Sequence, residues 1–106
     1  MCGVAILVTT VDSDEKARAI ARAVLEARLA ACVQISRITS HYRWRDELCE
    51  GEEFLLQMKH RVEDYPALSA LVRRLHGYET PEILRVDVAE ADSAYVRWLD
   101  ESTRRD

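Results

Sequence analysis

Two clusters of polar and aromatic residues carry the side chains that could do chemistry. The first contains Tyr42, Trp44, Glu52, Glu53 and Lys59, and the second is the run Leu75-His-Gly-Tyr-Glu-Thr-Pro-Glu82. Histidine is a common metal ligand, carboxylates bind hard divalent cations, and aromatic rings with a few polar groups line small-molecule clefts. The clusters therefore predict a site that binds a metal ion or a small ligand.

Motifs for several other chemistries are missing from the sequence. The segment Thr9–Asp12, which follows the first apolar run, has no Cys-x-x-Cys pair for copper(I) and no glycine-rich phosphate cradle. The first apolar run has no aromatic residue on which a nucleic-acid base could stack. Neither a Ser-His-Asp signature nor a Walker-type loop occurs. We expect a binding protein without catalysis of its own.

A long β-hairpin between residues 36 and 60 must position the first cluster. Side chains alternate along both arms with the period of two that a strand requires. We predict the tip at Arg45–Glu47. Arms of about ten residues exceed the usual five or six, so they should extend beyond the core of so small a domain. Apolar surface and strand edges would then need a second copy of the chain to cover them. The predicted interface residues are Tyr42, Trp44 and Phe54.

The remaining elements predict an α+β fold in a single domain, residues 1–106. Asp12 and Glu15 resemble a capping box at the start of the first helix. The order β-α-β-β-α-β-α matches a ferredoxin-like βαββαβ sandwich with a long β2–β3 hairpin and an added C-terminal helix. The predicted elements outside the hairpin are strand Val4–Thr10, helix Ser13–Arg28, a helix between a cap at Asp64 and a stop at Gly77, strand Ile83–Val88, a helix capped near Asp92, and a charged tail at Thr103–Asp106.

Composition limits the compartment and the partners. A formal net charge of −4 without a basic stripe argues against nucleic acid or an anionic membrane surface as a partner. No apolar run approaches the ~20 residues of a membrane span. The three cysteines are widely spaced and odd in number, which favours reduced thiols over a disulfide framework. The first residues lack the basic region of a signal peptide. We expect a cytoplasmic protein.

The motifs in this order resemble the CutA divalent-cation tolerance family. The residues that carry the resemblance are Leu29-Ala-Ala-Cys32, Tyr42-Arg-Trp44, Glu53 with Lys59, the run His76–Glu82, and Tyr95-Val-Arg-Trp98. The resemblance covers the chain from about Val4 to Leu99. It implies a ferredoxin-like protomer, a homotrimer assembled through the hairpin strands, and a link to copper or other divalent cations that folding does not require.

The resemblance also implies where ligands bind. Clefts between subunits would be lined by Glu53, Lys59, Tyr78, Glu82 and Trp98. The copper ligands proposed for some members are a cysteine near the end of the first strand and histidines of the loop after the second helix. This sequence has Thr9 and Leu75 at two of these positions, so His76 is the metal ligand that the resemblance predicts here.

Other interpretations of the same residues remain open. His76 could instead stabilise a helix end through the helix dipole. Tyr42 and Trp44 could line a binding cage rather than an interface. The whole chain could be a signalling module like the PII proteins, with an anion in its clefts, or a structural trimer that tethers another protein through its tail.

Overall fold

The structure is a computed structural model that describes residues 2–105, with four strands and three α-helices in that range. The strands are β1 (Val4–Val11), β2 (Cys32–Trp44), β3 (Glu47–Arg61) and β4 (Ile83–Asp87), and the helices are α1 (Asp14–Glu26), α2 (Tyr65–Leu75) and α3 (Ser93–Ser102). All neighbouring strands are antiparallel, in the order β2-β3-β1-β4. The predicted ferredoxin-like order of elements is confirmed.

Helices α1 and α2 cover one face of the sheet and form the core with it. Alternate residues of β1 and β3 point into this core, where Leu7, Val11, Leu56 and Met58 are completely buried. Burying an apolar side chain of this size contributes roughly 1.5–3 kcal/mol to stability. The matching residues of the helices are Ala17, Ile20, Val24, Leu68 and Val72.

Helix α1 begins and ends differently from the prediction. Its N-cap is Ser13, whose hydroxyl accepts a hydrogen bond from the backbone N–H of Lys16, so Asp12 is not the cap. At the other end Arg28 has a left-handed backbone with φ 58°. The N–H groups of Arg28 and Leu29 donate to the carbonyls of Leu25 and Val24. This is a Schellman motif, which ends the helix two residues before the predicted position.

The hairpin is longer and its turn tighter than the sequence indicated. Strands β2 and β3 pair from Cys32 with Lys59 to Trp44 with Glu47, which leaves only Arg45 and Asp46 in the turn. Both turn residues have positive φ, 51° and 67°. Two-residue hairpin loops favour such angles because they match the twist of the strands. Glu47 therefore belongs to β3 rather than to the tip.

Two further predictions about capping are wrong. Asp64 precedes α2, but its side chain makes no cap hydrogen bond. Its Oδ1 instead accepts a 2.6 Å hydrogen bond from the guanidinium of Arg105, and its side chain is 8% exposed. Gly77 does not end α2 in a left-handed conformation; the helix is capped by the extended His76. A Cβ on Gly77 would meet only the ammonium group of Lys16, the end of a flexible side chain that can move aside, so the structure gives no packing reason for the glycine.

The end of the chain is attached to the domain instead of forming a tail. Thr103 is buried, and its hydroxyl accepts a hydrogen bond from Arg61. Arg105 bonds to the carbonyl of Arg28 as well as to Asp64. The predicted charged tail is therefore wrong for residues 103–105, while Asp106 lies outside the described residues. Within the described part of the chain, no helix is long and apolar enough to cross a membrane.

Candidate functional site

A cavity of about 630 Å³ lies where the hairpin extends beyond the rest of the sheet. One wall is the hairpin, whose alternate residues Ser40, Tyr42 and Trp44 face the same side of β2. The opposite wall is the loop between α2 and β4. The other lining residues are Thr10, His41, Glu53, Gly77, Tyr78, Glu79, Thr80 and Glu82. The structure thus brings together residues from both predicted clusters.

A short hydrogen bond joins the two walls. The hydroxyl of Tyr78 donates to Oε2 of Glu53 at 2.7 Å. Burial, and then this bond to Glu53, raises the pKa of Tyr78 well above its ordinary value. Tyr78 is therefore a neutral donor at every physiological pH, and Glu53 keeps its second oxygen for a ligand.

His76 fixes the start of the loop that carries Tyr78. Its Nε2 lies 2.8 Å from the carbonyl of Thr10 and 3.1 Å from the hydroxyl of Thr9, so this nitrogen carries the proton. Its Nδ1 accepts a hydrogen bond from the backbone N–H of Tyr78 at 3.2 Å. Burial lowers the pKa of His76, which favours the neutral ring. Both nitrogens already have partners, so His76 could bind a metal only by giving up one of these bonds.

The cavity is acidic. Three carboxylates line it, from Glu53, Glu79 and Glu82, and none of its lining residues is a lysine or arginine. Two bases approach its edge. Lys16 lies against Gly77, and the guanidinium of Arg45 lies 3.5 Å from Glu79. The same guanidinium lies over the ring of Trp44, 5.5 Å from its centroid. This arrangement favours a cation over an anion.

Comparison with known proteins identifies the family. Residues 5–102 match the family described as CutA1 divalent ion tolerance protein. The chain belongs to the CutA1 family. The Divalent-cation tolerance protein CutA of Thermus thermophilus is 44% identical over 99 residues, which cover 92% of this chain and 96% of that protein. The human Protein CutA is 39% identical over 95 residues, and these span about half (53%) of its length.

Solved CutA structures have the same fold. CutA from Synechococcus elongatus superposes with a TM-score of 0.94 at 35% identity, covering 98% of this chain and 93% of that one. A structure from Archaeoglobus fulgidus, named as a periplasmic divalent cation tolerance protein, gives a TM-score of 0.93 at 31% identity and covers 95% and 99% of the two chains. The predicted fold and the resemblance are both confirmed.

Two of the five cleft residues expected from the CutA resemblance lie away from the cavity. Lys59 is six residues along β3 from Glu53, opposite Cys32, and its ammonium group bonds to Gln34. Six residues of strand span about 20 Å. Trp98 lies on α3, where its ring packs against Tyr95 at 5.4 Å. Within one CutA1 protomer the cavity therefore contains Glu53, Tyr78 and Glu82 but neither Lys59 nor Trp98.

The three predicted interface residues occupy different environments. Phe54 is only 9% exposed and packs in the core of the chain, so it offers little surface to a partner, and its interface role stays a prediction. Tyr42 and Trp44 are 48% and 43% exposed and form one wall of the cavity. Their contact with another chain stays a prediction.

The sequence analysis did not predict every residue at the cavity. Ser40 could have been found, because it shares the face of Tyr42 and Trp44 at a spacing of two. Arg45 is not a lining residue but lies at the edge of the cavity, and the sequence carried no signal for its approach to Glu79, which depends on the tertiary structure. Among residues 2–105, no three His, Cys, Asp or Glu side chains converge closely enough to hold a metal ion. The carboxylates of the cavity are spread around it instead.

Proposed function

We propose that this CutA1 protein is a cytoplasmic homotrimer that binds divalent cations, copper(II) among them, and that it has no catalysis of its own. The observation that carries the proposal is the acidic cavity, lined by Glu53, Glu79 and Glu82, in a chain of the divalent ion tolerance family. The names of the relatives supply the ligand class, and the charge of the cavity agrees with it.

The uncovered face of the sheet supports the trimer. Leu84 and Val86 of β4 are 52% and 50% exposed, and by register they lie beside Val8 and Ile6 of β1 on the face opposite α1 and α2. A contiguous apolar patch of this kind usually marks an interface. Three copies arranged around an axis would bury it, and Lys59 and Trp98 of one protomer could then approach the cavity of another.

Assembly would also explain how a metal is held. Since no three ligands converge within residues 2–105, we propose that copper binds between protomers, with Glu53 and Glu82 supplying carboxylate oxygens. His76 would join them after releasing Tyr78. The anion-binding alternative of the PII type is not favoured, because the cavity carries three carboxylates and no lysine or arginine among its lining residues.

Calorimetric titration with copper(II) tests the proposal. The protein would carry serine at all three cysteines, so that heat from thiol oxidation is not counted. Glu53→Gln should weaken binding by roughly ten-fold or more, a loss typical of altered metal sites. Glu63→Gln, which removes a carboxylate outside the cavity, is the matched control. No heat above dilution would refute metal binding, and an unchanged heat with His76→Ala would remove His76 from the site.

The proposed compartment needs a separate test. We propose the cytoplasm, although the similar Archaeoglobus fulgidus structure is named as periplasmic. Fractionation of the source cells, with antibodies against this protein and against marker proteins of each compartment, would decide. Recovery outside the cytoplasmic fraction would contradict this part of the proposal and leave metal binding untouched.

A further inference from the structure

The aromatic wall of the cavity points to a ligand other than a bare metal ion. We infer that the cavity also binds an organic cation, a guanidinium or ammonium group on a short apolar stem, and that Arg45 competes for its place. The inference uses the same cavity as the proposed function and requires that this cavity stays open when protomers associate, but it does not depend on metal binding.

The shape of the cavity argues for a cation with an organic body. A divalent metal needs several oxygen or nitrogen ligands within about 2.5 Å of one point. Here the carboxylates stand around a space of about 630 Å³, and Tyr42, Trp44 and Tyr78 supply aromatic surface between them. Aromatic faces attract cations and also exclude water from an apolar stem. The carboxylates that line the cavity can then bind the charged end of the organic cation.

The side chain of Arg45 already makes the two contacts that such a cation would make, one with an aromatic ring and one with a carboxylate. Its guanidinium lies over the ring of Trp44, 5.5 Å from the centroid, and 3.5 Å from a carboxylate oxygen of Glu79. Both partners line the cavity, whereas Arg45 extends from the two-residue turn at the hairpin tip. The side chain is 74% exposed, so water can replace it easily. A free guanidinium would make the same two contacts once Arg45 moves away.

The fluorescence of Trp44 gives a direct test. The chain has two tryptophans, so Trp98→Phe leaves Trp44 as the single tryptophan, which can be excited selectively over the tyrosines. N-butylguanidinium is the probe and N-butylurea its uncharged isostere, each titrated at constant ionic strength. We expect a saturable change with the guanidinium at millimolar concentration and none with the urea. Equal responses to both, or no response to either, would overturn the inference.

Matched variants test the role of Arg45. Arg45→Asn removes the internal cation and keeps a residue that tolerates the positive φ of this position. Arg43→Asn removes the same charge from the same hairpin, on the face turned away from Trp44. An exposed cation–π contact corresponds to about a two- to five-fold change in affinity. Arg45→Asn should tighten N-butylguanidinium binding by that factor and Arg43→Asn should not. Equal effects of the two would refute the competition.

Carboxylate variants place the probe in the cavity. Glu79→Gln and Glu53→Gln should each lower the affinity for N-butylguanidinium several-fold. The Glu53→Gln side chain can still accept the hydrogen bond from Tyr78. If both variants bind N-butylguanidinium with unchanged affinity, the probe does not bind in this cavity and the inference is refuted. Copper(II) is titrated separately with the same preparation. A response to copper alone would refute this inference and spare the proposed function, while a response to the guanidinium alone would do the reverse.

Discussion

The neutral ring of His76 connects β1 to the loop that carries Tyr78, and through Tyr78 to Glu53 of the hairpin. Its two nitrogens connect the end of β1, through the carbonyl of Thr10, to the backbone of Tyr78. Tyr78 in turn holds Glu53 across the cavity. A proton on Nδ1 would remove the acceptor that the N–H of Tyr78 needs. The geometry of the cavity therefore depends on an uncharged histidine.

The same histidine predicts a loss of stability in acid. Burial lowers the pKa of His76 below its ordinary 6.5; Lys16 acts in the same direction, while Asp12 and Glu53 oppose it. Burial also lowers the pKa of His60, whose Nε2 has no hydrogen-bond partner among residues 2–105. The unfolded chain then binds protons more readily, so stability is full above pH 6.5 and falls as the pH drops through that value.

Urea unfolding at a fixed protein concentration, repeated from pH 5 to pH 8, measures this dependence. His76→Gln should make it shallower, because glutamine can donate to the carbonyl of Thr10 but does not titrate. His41→Gln changes a histidine that is 72% exposed and should leave the profile as it is. An unaltered profile in the His76 variant would show that its ring is not held neutral.

At the scale of elements, α1 ends at a left-handed backbone position that is occupied by a residue other than glycine. The Schellman motif requires a left-handed residue after the C-cap, and glycine normally supplies it. Here the position is Arg28, with φ 58°. Arg28 also contacts the end of α3 and the chain after it. Its side chain donates to the carbonyl of Ser102 and its own carbonyl accepts from Arg105.

Arg28→Gly should therefore stabilise the protein. Relief of the left-handed strain is worth about 0.5–1 kcal/mol, and the exposed 3.4 Å bond to Ser102 that is lost is weak. Arg22→Gly, an identical change at an exposed position inside α1, should instead destabilise by about 1 kcal/mol. Denaturant midpoints compare the two. Destabilisation by both would mean that the contacts of the Arg28 side chain outweigh its strain.

At the scale of the whole molecule, one face of the sheet lacks a cover. Helix α3 protects only the end near Arg61, through Thr103 and Asp100. Leu84 and Val86, on the edge strand β4, remain about half exposed on this face. A single protomer has no further element to place there within residues 2–105. Association of protomers is the simplest way to remove this apolar surface from water.

Leu84→Glu should prevent the proposed trimer from forming, because it places a charge in that apolar surface. Sedimentation velocity should then report the mass of one chain, and the thermal midpoint should fall because binding of partners no longer stabilises the fold. Leu25→Glu changes an apolar residue that is 40% exposed on α1 and should keep the oligomer intact. A monomeric parent protein, or a trimeric Leu84 variant, would contradict this assignment of the interface.

The sequence by itself determined the ferredoxin-like order of elements, since apolar periods of two and 3.6 residues are local properties. It also marked Glu53, Tyr78 and Glu82, because their motifs resemble those of CutA. Only the tertiary structure decided that Lys59 and Trp98 lie outside the cavity of one protomer. It also decided that Asp64 pairs with Arg105 rather than capping α2. Such contacts join residues far apart in the chain, and no local pattern encodes the distance between them.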